Sequence, residues 1–234
     1  MDLSHALWIG GPPCSGKSSV AAALADRFGL QLYHVDARTW VHEARMPRTE
    51  FGLLTMDERW VDATPDRMLG WFVTTSRHRF RLVLEDLRDL PEAPGAVVEG
   101  PQLFPTSVAA VLRDPAHALF LLPDPDDVAE RRRRRGPMRG ASDGARATEN
   151  VIARDLLIAA EVEREARDLR LATLRADVPL DELVERAAAH FERVAERLPH
   201  GGDLAAVRRF EEEVRQTQIR LYEEWLSAAT GTSR

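Results

Sequence analysis

The chain has 234 residues, of which 44% are hydrophobic and 30% charged, with a formal net charge of −6. This composition is typical of a globular protein large enough to bury its own core, and it excludes the disordered and fibrous classes. Because the charge balance is acidic, nucleic acid is not a favoured partner.

The single cysteine, Cys14, excludes an intrachain disulfide, and no apolar run is long enough to span a membrane. The N-terminal segment begins with an acidic residue and leads into a strand pattern, which differs from the basic start of a secretion signal. We therefore expect a cytoplasmic protein without a membrane anchor.

Five short apolar runs predict strands, and helical patterns alternate with them. The strands are expected at 6–10, 31–36, 95–100, 117–122 and 171–176, and the helices at 18–28, 66–90, 106–113, 126–135, 149–169 and 180–198. This alternation predicts an α/β fold with three layers and a central five-stranded parallel sheet, which binds ligands at the carboxyl ends of its strands.

Two segments depart from the alternation. Residues 39–65 have prolines and a glycine among aromatic and arginine side chains, so we predict an inserted substrate-binding region there. Residues 136–148 contain three glycines and little apolar surface, which predicts a mobile loop.

A last amphipathic helix is predicted over 204–226, beyond a Pro-His-Gly-Gly segment. It either packs back on the domain or pairs with a second copy of the chain to form a homodimer. We expect residues 1–198 to form the main domain and residues 199–234 a helical extension.

A phosphate-binding loop is predicted between the first strand and the first helix, over Gly11, Pro12, Pro13, Cys14, Ser15, Gly16, Lys17 and Ser18. Backbone N–H groups in such a loop, with the helix N-terminus, bind nucleotide phosphates. Lys17 is the only lysine among 32 basic residues, and its ammonium suits the β- and γ-phosphate oxygens. We expect the Ser18 hydroxyl to bind Mg²⁺ and Ser19 to belong to the same nucleotide site.

Three features together resemble the P-loop small-molecule kinases, a group that includes shikimate and gluconate kinases, chloramphenicol phosphotransferase, adenylate-type kinases and zeta toxins. The features are the loop, Asp36 at the end of the second strand, and the arginine run 131–135 after the fourth strand. The resemblance covers about the N-terminal two thirds of the chain. It implies a P-loop NTPase fold, a kinase domain over residues 1–198, and ATP and Mg²⁺ as ligands.

In such kinases the aspartate after the second strand lies beside the substrate hydroxyl and the metal. The resemblance therefore gives Asp36 the roles of catalytic base and metal ligand. The residues agree, because parallel strands end on the ligand side of the sheet and a carboxylate there can face the γ-phosphate. The alternative is that Asp36 only caps the helix that follows it.

The arginine run has the position of a kinase lid, expected over residues 131–148. Arginines on a closing lid stabilise the charge of the transferred phosphoryl group. We assign catalytic roles to Arg131 and Arg135 and nucleotide binding to Arg132. At most two of five consecutive arginines on one helix can face the phosphates, and the others are expected in solvent or paired with acids. A nucleic-acid patch is the alternative.

The second acidic group of the site is predicted to be Glu99, which ends the third strand and is suited to hold the substrate or a magnesium-bound water. Asp124 after the fourth strand is the alternative. Prolines on both sides of Asp124 favour a helix N-cap instead.

Substrate binding is assigned to Trp40, Arg45, Arg48 and Trp60 together with Glu99. Aromatic rings supply flat apolar walls and arginines pair with anions, so a substrate with a ring and a phosphate or carboxylate would suit. The alternative is that the tryptophans fill the core beneath the insert.

These features favour an ATP-dependent kinase that phosphorylates a hydroxyl of a small molecule such as a nucleoside, sugar or antibiotic. A nucleotide or polynucleotide end kinase would share the loop and the aspartate. A nucleotide-sensing module would need only the loop. Because binding alone requires neither Asp36 nor an arginine lid, the small-molecule kinase is the preferred hypothesis.

Overall fold

The computed structural model describes residues 3–46 and 49–230. Its strands are β1 (Ala6–Gly10), β2 (Gln31–His34), β3 (Ala96–Glu99), β4 (Ala118–Leu122) and β5 (Ala172–Arg175). Its helices are α1 (Lys17–Phe28), α2 (Thr39–Glu43), α3 (Glu50–Leu53), α4 (Met56–Trp60), α5 (Pro65–Asp89), α6 (Pro105–Ala109), α7 (Pro125–Arg134), α8 (Gly144–Asp168), α9 (Leu180–Ala195) and α10 (Leu204–Thr230). Short 3-10 turns cover Asp36–Arg38 and Pro115–His117.

The five strands form one parallel sheet in the order β2-β3-β1-β4-β5. The register places His34 at the end of β2 opposite Glu99 at the end of β3, and Ile9 of β1 on the other side of Glu99. Strands β1, β2 and β3 therefore end side by side, at the edge where parallel α/β sheets bind ligands.

The sheet is buried on both faces because apolar side chains alternate between two helical layers. On one face, Trp8 packs in a cluster with Phe80 of α5 and Ile158 of α8. On the other face, Leu7 and Ile9 pack in a cluster that includes residues of α1 and α9. These are the three layers that the alternating pattern predicts.

The insert and the last helix lie together at the ligand edge. Residues 39–65 form the three short helices α2, α3 and α4, the last of which begins with a capping box between Thr55 and Glu58. Helix α10 packs back on its own domain, where Glu211 accepts two hydrogen bonds from Arg38 at 3.0 and 2.5 Å. The homodimer stays a prediction.

Three predicted boundaries are wrong by four residues or more, one of them the end of α10, which lies at Thr230 rather than 226. Helix α8 begins at Gly144 rather than 149, so the predicted loop over 136–148 ends at Asp143, whose side chain caps the helix by accepting from Arg146 N at 2.9 Å. Helix α6 ends at Ala109, four residues before its predicted end. None of the described helices is long and apolar enough to cross a bilayer.

Candidate active site

The phosphate-binding loop contains positive φ angles that glycine adopts more easily than other residues. Gly11 has a φ of +132°, and a Cβ there would lie 2.3 Å from Leu121 O, so a side chain has no space. Gly16 has a φ of +83° and precedes the first residue of α1, Lys17, without a side-chain cap. The loop therefore presents the N–H groups at the start of a twelve-residue helix, an arrangement that suits phosphate.

Lys17 is held at the mouth of this loop. Its side chain is buried, and Nζ donates hydrogen bonds to Pro12 O at 2.7 Å and Ser15 Oγ at 3.1 Å. Burial lowers the pKa of Lys17, against the opposite influence of the Glu99 and Asp36 carboxylates. The ammonium thus lies within the loop and within electrostatic range of both carboxylates.

Glu99 belongs to the loop side of the site. It is 2% exposed, and its Oε1 accepts hydrogen bonds from Ser18 Oγ at 3.1 Å and His34 Nδ1 at 2.6 Å. The bond to Glu99 raises the pKa of His34, although burial of the ring acts in the opposite direction. The sequence analysis had assigned no role to His34, whose position follows from its pairing with Glu99 across β2 and β3.

The donor set around the loop fits Mg²⁺. A serine hydroxyl and carboxylates are hard oxygen ligands, and magnesium sites commonly have one or two protein ligands with water and phosphate oxygens. The described residues hold no cluster of three or more His, Cys, Asp or Glu side chains suited to a metal ion. A metal would therefore depend on phosphate oxygens for part of its coordination, with Ser18, Glu99 and Asp36 close by.

Asp36 lies between two adjoining spaces. The first is the phosphate cleft, about 350 Å³, lined by residues 13–19 of the loop with Glu99, Arg132 and Arg135. The second, the aromatic cavity, has a volume of about 280 Å³. Asp36 lines both, and its Oδ1 accepts a hydrogen bond from Gln102 Nε2 at 2.6 Å. Its side chain is therefore available to the site and does not cap the turn that follows.

The arginines of the run 131–135 point in different directions, some toward the phosphate cleft and others toward the surface. Arg132 and Arg135 line the phosphate cleft, whereas Arg133 pairs with Glu149 and Arg134 with Glu130 at the surface. These contacts follow because successive residues on a helix point in directions about 100° apart.

Arg131 is bonded to the loop itself. Its guanidinium donates to Cys14 O at 2.9 Å and to Asp127 Oδ2 at 2.9 Å, and it is not among the residues that line the cleft. Its catalytic role stays a prediction. Cys14 itself has a φ of +66° and is 7% exposed.

Two residues of α8 that the sequence pattern does not single out belong to the site, Arg154 as part of the cleft lining and Asp155 as the partner of its arginines. Asp155 is fully buried and accepts hydrogen bonds from the guanidinium groups of Arg132 and Arg154. Arg154 lines both the cleft and the aromatic cavity. The pair Arg154-Asp155 stands inside a helical pattern, and nothing in that pattern distinguishes it from a surface ion pair.

The aromatic rings of the cavity come from three parts of the chain. The insert supplies Trp40, Phe51 and Trp60, helix α5 supplies Trp71 and Phe72, and α10 supplies Tyr222 and Trp225. The Trp40 and Trp225 ring centroids are 4.7 Å apart, and those of Phe51 and Trp60 are 5.5 Å apart. The predicted residues Trp40 and Trp60 thus line one space, together with aromatic residues of α10 that the sequence analysis left unassigned.

The other predicted substrate residues lie elsewhere. Arg45 is on the outer side of the insert, where it pairs with Glu85 at 2.8 Å and Asp86 at 3.0 Å, so its assignment to the substrate site is corrected. Arg48 lies outside the described residues. Asp124 caps α7 by accepting from Asp126 N at 2.8 Å.

No protein-family model matches the sequence, and a comparison with curated proteins gives no match. Among solved structures, TT1252 from Thermus thermophilus is similar over 82% of this chain and 97% of its own, with a TM-score of 0.50 and 24% identity. A gluconokinase from Sinorhizobium meliloti 1021 is similar over 84% of this chain and 96% of its own, with a TM-score of 0.42 and 19% identity. The phosphate-binding loop and the five-stranded parallel sheet of the chain are consistent with a P-loop NTPase fold.

Proposed function

We propose that this protein is a kinase that transfers the γ-phosphate of ATP to a hydroxyl group of a small molecule. The observation that carries the proposal is the position of Asp36, which lines both the phosphate cleft and the aromatic cavity. A hydroxyl presented from the cavity and a phosphate held by the loop would meet at this carboxylate, as phosphoryl transfer requires.

Asp36 accepts the proton of the acceptor hydroxyl as the hydroxyl oxygen forms a bond to the γ-phosphorus. The bond from the γ-phosphorus to the β,γ-bridging oxygen breaks, and ADP leaves with that oxygen. Gln102, which donates to Asp36 Oδ1 at 2.6 Å, fixes the orientation of the carboxylate.

The remaining groups stabilise charge. Lys17 and the N–H groups at the start of α1 bind the β- and γ-phosphate oxygens, and Arg132 and Arg135 face the transferred group from α7 and the residue after it. Ser18, Glu99 and Asp36 would hold Mg²⁺, which neutralises the charge that develops on the phosphate oxygens. Asp155 keeps Arg132 in place.

The cavity lining favours a small molecule over a polynucleotide end. Its walls are mainly aromatic rings and the methionines Met56, Met68 and Met138. A polynucleotide site would instead be expected as an open groove with basic side chains along it.

The test compares Asp36→Asn with the wild type and with Asp124→Asn as a matched control. We expect Asp36→Asn to keep the rise in melting temperature given by ATP while losing ~10²-fold or more of acceptor-dependent ADP release, because the base is gone. Asp124→Asn keeps a side-chain oxygen that can cap α7, because asparagine and aspartate are about equally good N-caps, so both stability and turnover should be retained. Wild-type turnover in Asp36→Asn, or ATP stabilisation with no turnover on any hydroxyl acceptor, would contradict the proposal.

A further inference from the structure

Arg59 of α4 is a buried guanidinium beside the aromatic cavity. The residue is 3% exposed, and its central carbon lies over two rings, 4.7 Å from the Phe51 centroid and 4.9 Å from the Trp225 centroid. Nη2 donates to Gly52 O at 3.1 Å, and Nε is buried without a hydrogen-bond partner among the described residues. Arg59 thus contacts two aromatic rings and has an N–H donor that is not used.

The other cations of the cavity have carboxylate partners. Arg79 pairs with Glu43 at 3.2 Å, and Arg154 pairs with the buried Asp155 at 2.6 Å. Among the described residues, no carboxylate forms an ion pair with Arg59 within 4.0 Å. Burial lowers the pKa of Arg59, although the more distant charges of Glu43 and Glu58 act in the opposite direction. A buried cation without a direct ion-pair partner is costly, so this position is suited to receive a negative charge.

Unused donors outnumber unused acceptors on the cavity residues. In the described part of the chain, buried N–H donors without a partner are Arg59 Nε, Trp60 Nε1 and Arg79 Nε, against one such acceptor, Gln102 Oε1. Oxygen-rich anions accept several such bonds at once, and bonds to a charged acceptor are stronger than neutral ones.

From these observations we infer that Arg59 binds an anionic group, a carboxylate or a phosphate, on a flat-ringed acceptor whose ring stacks between the insert and α10. This inference rests on the proposed function, which supplies the hydroxyl near Asp36, and adds the class of molecule that carries it. Helix α10 is then part of acceptor recognition, because Trp225 covers the guanidinium of Arg59 and lines the cavity.

A purely structural role for Arg59 would use the same rings. Attraction between the guanidinium and the faces of Phe51 and Trp225 would fasten α10 to the insert and require no ligand. That role explains the contacts of Arg59 with the two rings, but it does not explain why the Nε donor has no hydrogen-bond partner. The two roles differ in one measurable property, the preference of the cavity for anions.

Tryptophan fluorescence reports on the cavity directly, because Trp40, Trp60, Trp71 and Trp225 line it and only one of the five tryptophans, Trp8, lies in the core. The probes are benzoate, phenyl phosphate and the uncharged benzyl alcohol. We expect wild-type protein to bind at least one anionic probe about tenfold or more tightly than benzyl alcohol. Comparing the affinities of benzoate and phenyl phosphate shows whether the site prefers a carboxylate or a phosphate.

Arg59→Met should remove this preference, and Arg59→Lys should keep part of it because the charge remains. Arg67→Met is the matched control, since Arg67 also stacks on a tryptophan, at 4.8 Å from the Trp71 centroid, but pairs with Glu50 and does not line the cavity. The control should bind the probes as the wild type does. Melting temperatures of all variants identify any loss of folding.

Two outcomes would overturn the inference: a wild type that shows no anion preference up to about 10 mM probe, or an Arg59→Met variant that keeps the preference. The binding test needs no phosphate transfer, because benzoate and phenyl phosphate carry no alcoholic hydroxyl. An anion preference without turnover on any acceptor would therefore count against the proposed function alone, and turnover without an anion preference against the Arg59 site alone.

Discussion

Asp86 of α5 connects four elements through one carboxylate. It accepts hydrogen bonds from Tyr33 Oη at 2.7 Å, His42 Nε2 at 2.9 Å and Arg45 Nη1 at 3.0 Å, and Arg38 Nε lies 3.6 Å away. Burial acts to raise the pKa of Asp86, but the hydrogen bonds from His42 and Tyr33 outweigh it and lower the pKa to about 2. The folded state therefore favours the charged carboxylate.

The size of this effect follows from the pKa difference between the two states. An unfolded aspartate has a pKa of about 4, and each pKa unit corresponds to about 1.4 kcal/mol. The charged form of Asp86 thus contributes about 2.5 kcal/mol to the free energy of unfolding. Because the folded pKa is the lower one, this contribution is complete above pH about 4, falls to about half near pH 3, and is lost as the pH approaches 2.

The perturbation is Asp86→Asn, measured by urea denaturation at several pH values between 7 and 3. We expect the variant to lose about 2.5 kcal/mol at pH 7 and clearly less at pH 3. Glu85→Gln on the same helix is the control, because Glu85 is half-exposed and, among the described residues, pairs with Arg45 alone, so its loss should stay below about 0.5 kcal/mol. A loss in Asp86→Asn that does not change with pH would refute the electrostatic reasoning.

Two further predictions concern the phosphate cleft. Arg132→Ala should lower turnover ~10²-fold or more, because the Arg132 guanidinium lines the cleft. Arg134→Ala removes a surface ion pair with Glu130 and should leave turnover unchanged. Equal turnover rates in the two variants would contradict the assignment of Arg132 to the cleft and Arg134 to the surface. Glu99→Gln should raise the Mg²⁺ concentration needed for half-maximal turnover, because it removes a hard anionic oxygen beside Ser18. Circular dichroism should show an unchanged helix content in this variant. An unaltered Mg²⁺ requirement would place the metal elsewhere.

Much of the fold was predictable because it depends on local patterns. The five strands were expected within two residues of their observed bounds, since each is a short apolar run and the sheet buries both of its faces. The loop was predictable for the same reason, because its spacing, the strand before it and the helix after it are all contiguous in sequence. The fold and the position of the loop could therefore be predicted from short contiguous stretches of the sequence.

The start of α8 was missed although a local signal was present. Asp143 precedes Gly144, and the glycines at 136, 140 and 144 suggested a loop, but the buried Ala147 and Thr148 stabilise a helix there. The Asp143 side chain, a typical N-cap, indicates a helix start at this point, but the prediction gave more weight to the three glycines.

The cavity could not be predicted because its parts meet only in three dimensions. Trp40 and Trp60 are typical of an insert with an apolar site, but nothing in their spacing indicates that Trp225, far along the chain, covers the same space. Arg59 and Arg67 both lie near aromatic residues in the sequence. Only burial distinguishes the first, which has no carboxylate partner among the described residues, from the second, which is half-exposed and paired with Glu50.

The position of Lys17 has a consequence for chemical labelling. Every other basic side chain apart from histidine is arginine, so the phosphate-binding loop contains the only side-chain amine in the sequence. Burial lowers the pKa of this amine and so increases its neutral, nucleophilic fraction, while little of it reaches solvent. An amine-reactive nucleotide analogue would have one side-chain target, and the modified peptide would by itself report occupancy of the nucleotide site in a complex mixture.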